Sequence, residues 1–575
     1  MEAAPGVPPG YSADKQNAQR QEKLSSDSLG VHRISTARIF PESRSPPRQI
    51  PLSILDTTSF HSPSCSAAWL YDQPVDEQGR AAFDVAQLQE SLKRTLSAYP
   101  QWAGQLHFAP AKPGGDHSRR ARRVILSYGG ASDPGVELTI AHCPRSIESL
   151  VPSVSERGTG IGWWNLGEVS LMELLPEVSE WAFSDMIRSQ FEELLGAAIQ
   201  LTTFNCGGVA VAIRIVHCLA DAQTMGQFVN DWARVNRAIL AHTPIPLLAP
   251  VFDPSLLDRA AAGDIDADEP DLYLIEAACT LSITPRSSTS SNRYPPSMTP
   301  SAQIPLESKD LSAPIGHYLL DFSPKEIQYI WEQASSSGNH VTHFEALAAF
   351  LWSLMMRNGY LDREEQIATI PCNIRPRLSP ALPATFLGSP IIVASVAGTK
   401  SMSLHTLANC IRSSLSQFTP SNLSVLLHDK AYEDSSQRLL TAFLKHQKTI
   451  VSHERLLKVF LKHQKVIVSH TFTSWLHLGM NKVDFGAGVL PRYIEGFPPS
   501  NLDGCVVIME AGGDGGTSAD AGGARWYDEH VNVAMYLNVE VMQGILKDPL
   551  LGKSRDVARA QKRNSIPNDG VMAVE

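Results

Sequence analysis

The sequence predicts an α/β protein made of two halves of similar kind, and three observations lead there. In the first half, Gly207-Gly208 opens an apolar, β-branched run from Val209 to Val216, after which Met225, Phe228, Val229 and Trp232 recur at helical spacing. The alternation returns downstream, where His317 to Pro324 reads as a strand and a helix follows from Thr342 through Phe344, Leu347 and Leu351. Between them, from the helix-ending turn at Thr243-Pro244 to about Gly316, the chain is loop-rich. Its stretch Ser282 to Ser308 is thick with Ser, Thr and Pro, which reads as an exposed crossover. The expected organisation is a disordered tail over 1–36, a first unit over 37–260, a crossover linker over 261–309, a second unit over 310–555 and a tail over 556–575.

Composition narrows the function classes. With 575 residues, 43% hydrophobic and 19% charged, the chain can bury a large core and is globular. Forty-nine basic against 59 acidic side chains give a net charge of −10, so no overall basic field favours nucleic acid or an anionic membrane, and neither is expected as a partner. The eight cysteines lack any C-x-x-C spacing, and the N-terminus opens no apolar h-region. Reduced thiols, a cytoplasmic location and no metal site are expected. The apolar stretch Ala346 to Met356 falls short of the roughly 18 residues a membrane span needs. A soluble monomer is the expectation.

Taken in order, residues 1 to about 35 hold too few large apolar side chains to offset their ordering entropy. Gln49 to Asp56 leads into Ala67 to Asp72, a strand whose Trp69 and Tyr71 share a face. A helix carries Leu88, Leu92, Leu96 and Tyr99, with Asp84 as its cap and Pro100 at its end. Arg119, Arg120, Arg122 and Arg123 read as a solvated hairpin loop. Farther on, Cys505 to Met509 and Val531 to Leu537 read as strands joined by the Gly-rich stretch 512–523. That stretch lacks a Gly-Lys-Ser/Thr ending, so it reads as a hairpin connection and not as a phosphate loop. A closing helix is expected from Val541 through Leu551.

The residues that could carry chemistry sit at a strand-to-helix junction. His217 ends the apolar run and Asp221 follows four positions later; the strand fixes the backbone there while the loop lets a side chain face a cleft. A lone His-x-x-x-Asp spacing is weak, but its context is specific. Gly-Gly, apolar strand, His-x-x-x-Asp and a helix with Asp231-Trp232-Ala233 resemble the first signature of the BAHD acyltransferases, which use acyl-coenzyme A. Asp484-Phe485-Gly486-Ala487-Gly488 is similar to the second, Asp-Phe-Gly-Trp-Gly. Tyr99-Pro100-Gln101-Trp102-Ala103-Gly104 resembles the family's Tyr-Pro-x-x-Ala-Gly. Arg375-Pro376-Arg377, with Phe386-Leu387-Gly388-Ser389, resembles its Arg-x-Arg block, with Ser389 in place of Asn. The resemblance runs from about 37 to 555 and is to the fungal branch of that family, similar to transferases of the trichothecene and hydroxycinnamoyl types.

The resemblance implies two chloramphenicol-acetyltransferase-like domains, each a mixed sheet with flanking helices, and a channel between them. It also implies transfer of an acyl group from acyl-CoA, the co-substrate, to a hydroxyl or amine of a small secondary-metabolite acceptor, with no tightly bound cofactor. His217 would be the general base, a role its unperturbed pKa of about 6.5 suits. Asp221 could orient His217 as a dyad or hold the loop by pairing with an arginine; the family implies the second, with Arg375 as partner. Asp484 would be a structural brace, with Gly486 and Gly488 allowing a tight turn. Two departures, Ala222 for Gly and Ala487 for Trp, leave open an inactive relative that keeps the fold as a binding module. Trp475 or Tyr493 could replace the missing tryptophan. Finally, Arg438 to His453 recurs as Arg455 to His470, identical at 13 of 16 positions. Two copies do not make a solenoid, and the pair reads as a local duplication on the solvated face of a helix.

Overall fold

The computed structural model describes residues 28–59, 64–109, 116–120, 123–153, 156–157, 162–167, 170–177, 195–281, 315–335, 340–359, 364–432, 470–498, 503–511 and 525–564. Their strands in chain order are β1 (His32–Ile39), β2 (Arg48–Pro51), β3 (Cys65–Tyr71), β4 (Gln105–Phe108), β5 (Val124–Tyr128), β6 (Val136–Cys143), β7 (Trp163–Asn165) and β8 (Ala197–Phe204). Then come β9 (Val209–Ile215), β10 (Ile315–Phe322), β11 (Glu365–Asn373), β12 (Ile391–Thr399), β13 (His470–Ser474), β14 (Tyr493–Phe497), β15 (Cys505–Glu510) and β16 (Val531–Asn538). They form a six-stranded sheet ordered β1-β6-β8-β9-β3-β14, a seven-stranded sheet ordered β12-β11-β13-β15-β16-β10-β7, and a small sheet β2-β5-β4. Both large sheets are mixed: β6 runs parallel to β8, and β13 runs parallel to β11 and β15, with antiparallel neighbours elsewhere.

Each large sheet takes one edge strand from the other half of the chain. β14 pairs with β3, Tyr493 opposite Leu70 and Phe497 opposite Ser66. β7 pairs with β10, Leu320 opposite Trp163 and Tyr318 opposite Asn165.

The helices cover these sheets for reasons written in their sequences. Asp84 caps the Val85–Leu96 helix by accepting from the N–H groups of Ala86 and Gln87, and the helix buries Leu88, Leu92 and Leu96 on one face. Each such leucine contributes about 1.5–3 kcal/mol. Thr342 and Glu345 form a reciprocal capping box on the His343–Arg357 helix, whose residues from Glu345 to Met356 are buried except Ser353. Gly104 follows the Pro100–Ala103 turn, where a side chain would stand 2.5 Å from the Ser127 carbonyl oxygen.

A buried polar cluster joins the two large sheets. Glu495 of β14 is fully buried and accepts from the hydroxyls of Tyr493 (2.5 Å) and Tyr536 of β16 (2.7 Å). His317 of β10 stacks on Tyr536 at 4.3 Å and brings Nε2 to 3.3 Å from the same carboxylate.

Several local expectations change. β1 begins at His32, inside the expected tail, because Glu173 accepts from the N–H groups of Leu29 and Val31 and β1 pairs along β6. The crossover holds a helix, Leu272–Leu281. Arg123 is not on a solvated loop: it is buried, donating to the carbonyls of Ile54, Lys430 and Ala431, because it precedes a core strand. The closing helix is two helices, Val539–Lys547 and Pro549–Asn564, because Pro549 cannot continue the first; the second runs into the expected C-terminal tail. The 17-residue repeat lies outside the described residues except for His470. That histidine sits in β13, not on a solvated helix, and is buried with Nε2 2.7 Å from the Gln366 amide oxygen. The Gly-rich 512–523 stretch also lies outside them, and it links β15 to β16, which are antiparallel neighbours.

Candidate active site

The loop between β9 and the Ala222–Leu240 helix is short and pinned. Val216 N–H donates to the Gly196 carbonyl and Leu219 N–H to that of Val216, while Cys218, Leu219 and Ala220 are buried. Only His217 keeps partial exposure in this stretch. Its Nδ1 lies 3.0 Å from the Ser389 hydroxyl, and Nε2 has no hydrogen-bond partner among the described residues. Burial pushes the His217 pKa below its usual value, opposed by the nearby charge of Asp221 and by the ring's contact with its own backbone carbonyl. The ring is therefore neutral at neutral pH, with one nitrogen available.

Asp221 turns away from that ring. It caps the Ala222–Leu240 helix by accepting from Thr224 N–H at 2.9 Å, and it takes two hydrogen bonds from Arg375, at 2.6 and 3.1 Å. Both side chains are about 2–3% exposed. Arg375 spends its remaining donors on the Phe386 and Gly388 carbonyls, the Thr224 hydroxyl and the Asn373 side chain. The pair thus ties the loop after β9 in the first half to the 386–389 segment of the second half. Ala222 is the first residue of the helix and has an ordinary negative φ, so its methyl costs nothing there.

Asp484, Gly486 and Gly488 sit elsewhere. The Arg237 guanidinium donates to the Asp484 carbonyl, and Asp484 Oδ1 accepts from Gly486 N–H at 2.7 Å. Arg237 is on the same helix as the Asp221 cap but roughly 24 Å along it, at about 1.5 Å per residue. Gly486 and Gly488 have φ of +97° and +69°, which an L side chain adopts only with strain. Phe485 is buried against Tyr71, Phe83 and Trp232, and Asn236 donates to its carbonyl. These aromatics fill the space around the segment. Ala487 is buried with its carbonyl 2.6 Å from where a side chain on Gly79 would stand. Trp475 instead packs over Gly496, and Tyr493 belongs to the Glu495 cluster.

Two contributors escaped sequence reasoning. Asp56 is buried, accepts from Ser53 and from the Ser389 N–H at 2.5 Å, and is pushed up to about 7, chiefly by burial. Ser389 figured only as a departure from the family pattern. The available signal was a carboxylate inside the apolar run Leu52-Ser53-Ile54-Leu55-Asp56. A cavity of about 310 Å³ lies apart from all of this, between the Pro324–Ala334 helix and the Trp526–Asp528 turn.

A pair of mixed sheets joined through a His-x-x-x-Asp loop defines an acyltransferase of the chloramphenicol-acetyltransferase type of fold. The Transferase family model matches residues 29–114 and 185–545, and the chain belongs to that family, the BAHD-type acyl-CoA-dependent acyltransferases. It is similar to Acyltransferase AFT15-1 of Alternaria alternata, 28% identical over 67% of this chain and 75% of the relative. It also matches Acyltransferase abl6 of Leptosphaeria maculans, 23% identical over 91% of this chain and 98% of that one. Among solved structures, F. sporotrichioides TRI101 complexed with coenzyme A and T-2 superposes with a TM-score of 0.55 at 16% identity, over 88% of this chain and 98% of that chain.

Proposed function

We propose that this chain moves an acyl group from acyl-CoA to a hydroxyl, or an amine, of a small secondary-metabolite acceptor, with His217 as general base. The observation that carries the reading is the ring itself: neutral, held through Nδ1, with Nε2 unpartnered at the junction of the two halves. Nε2 takes the acceptor's proton as its oxygen or nitrogen attacks the thioester carbonyl. The tetrahedral adduct then expels the coenzyme A thiolate, which recovers the proton from the imidazolium. No covalent enzyme intermediate is needed. Asp221 and Arg375 hold the loop and do not share the proton, and Asp484, Gly486 and Gly488 brace the far end of the helix. Family membership and the coenzyme A in the TRI101 structure support acyl-CoA as co-substrate.

The test is thiol release from acetyl- or longer acyl-CoA in the presence of an alcohol- or amine-rich metabolite extract. His217→Ala is expected to cut turnover by about 10² or more while the melting temperature holds. Wild-type turnover in that variant would remove His217 from the mechanism. Stabilisation by coenzyme A without any histidine-dependent thiol would move the reading to a binding module.

A further inference from the structure

The stretch that enters the crossover is gripped by two histidines, one from each half, and their partners demand opposite protonation. His117, in the first half, brings Nδ1 to 2.8 Å from Asp266 Oδ1 and Nε2 to 3.1 Å from Asp258 Oδ2. The His117 N–H donates to the same Asp266 oxygen at 2.8 Å, and Asp258 Oδ1 accepts from the Ile54 N–H at 2.8 Å. A carboxylate only accepts, so a ring held between two of them needs a proton on each nitrogen. His428, in the Pro420–Tyr432 helix of the second half, is fully buried. Its Nδ1 lies 2.7 Å from the Ala262 carbonyl, which only accepts, and its Nε2 lies 3.2 Å from the Asp271 N–H, which only donates. That ring needs one proton and one lone pair. Turned over, either ring would put carbon at both contacts.

We propose that these two rings make residues 258–271 a clasp that is fully closed only near neutral pH, the first half's hold being lost to base and the second half's to acid. The charged groups facing His117 are Asp258, Asp266 and Arg123, with Asp56 beyond Asp258. Burial works against the imidazolium, but the two carboxylates outweigh it and hold the His117 pKa above its ordinary value. In an opened segment the ring releases its proton more readily, so the closed form loses its advantage as pH rises through the raised value. His428 faces the Tyr432 ring at 5.0 Å, and the Asp271 carboxylate beside it is turned to the N–H groups of Tyr273 and Leu274. On the same helix lie Asp429 and Lys430, and Arg123 donates to the Lys430 and Ala431 carbonyls. Held as a lone-pair acceptor when the clasp is closed, the His428 ring is free to take a proton when it opens. At pH 5 that favours the open form by roughly thirtyfold, from a pKa of about 6.5 for a histidine in water. The clasp adjoins the candidate site: the Val251 N–H donates to the Thr385 carbonyl and the Leu387 N–H to that of Val251, two residues from Ser389.

Hydrogen exchange followed by mass spectrometry reads the clasp in the unaltered chain and involves no acyl transfer, so it stands or falls apart from the general-base reading. Peptides covering residues 258–271, corrected for the intrinsic pH dependence of exchange, are expected to be most protected near pH 7. Their protection should fall about tenfold or more at pH 5 and fall again by pH 9, while peptides of β16 keep theirs. His428→Gln, whose amide can still donate and accept but does not titrate, is expected to abolish the acid-side loss alone. His117→Arg, a permanent cation, is expected to abolish the alkaline-side loss alone. A flat or one-sided profile in the unaltered chain would overturn the proposal, as would an acid-side loss that survives His428→Gln. An alkaline-side loss that survives His117→Arg would belong to Asp56 and would overturn it equally.

Discussion

Asp221 and Glu495 are both buried carboxylates at places where the two halves meet, yet they are answered differently. Asp221 faces a permanent cation in two-point geometry, and Arg375 has its other donors spent on neighbouring oxygens. Glu495 faces two phenols and an imidazole. Burial and the adjacent carboxylate push both tyrosines well above their ordinary pKa, so their hydroxyls stay donors throughout the accessible pH range. The first joint is an ion pair whose loss strands a charge. The second is a set of directional hydrogen bonds that can be thinned one at a time.

The largest effect expected from this contrast is at Arg375. Arg375→Met leaves Asp221 buried and unpaired and should cost about 3–5 kcal/mol of unfolding free energy, along with activity. A loss below about 1 kcal/mol in denaturant titration would erase the distinction between the joints. Glu495→Gln should cost less, about 1–3 kcal/mol, because the amide oxygen still accepts from one tyrosine while the amide nitrogen must oppose the other. Equal losses at the two sites would mean that geometry matters more than charge.

A third buried carboxylate sharpens the comparison by its pH dependence. Burial pushes Asp56 up to about 7 from 3.8, so between those values the folded chain keeps a proton that the unfolded chain has released. Stability contributed at this residue therefore falls as pH rises through that window, and the loss is complete above about pH 7. Asp56→Asn should flatten the decline in melting temperature between pH 5 and pH 8; an unchanged slope would assign the titration elsewhere. At the small end, Gly488→Ala meets no neighbour and should cost only its backbone strain, about 1–2 kcal/mol. Gly486→Ala, with Leu240 and Arg237 within 3.2 Å, should cost more by thermal melting.

Much of this architecture is written locally, and what is local was legible. Strand β9, its histidine and the capped helix that follows depend on a run of fewer than 35 residues, whose apolar spacing changes from continuous to helical at one point. Asp84 and Thr342 announce their helices because a cap needs only the next three N–H groups. What was not legible depends on distant partners. Nothing in the spelling of Arg123 distinguishes it from Arg119, Arg120 and Arg122 in the same arginine-rich stretch; the distant carbonyls of residues 54, 430 and 431 are what receive it in the interior. His470 reads as part of a basic helical repeat until β11 and β15 close on either side of it. Asp56 and Ser389 are 333 positions apart, so no pattern of periodicity could join them.

The exchange of edge strands sets a limit on modularity. A chain divided between residues 281 and 315 gives two fragments, neither of which contains its large sheet complete: the first lacks β14 and the second lacks β7. Such fragments should be aggregation-prone apart, each exposing an unpaired edge, and should need one another to recover structure. For the same reason a chimera that swaps one half for that of a relative must match two foreign strand registers at once, β14 on β3 and β7 on β10.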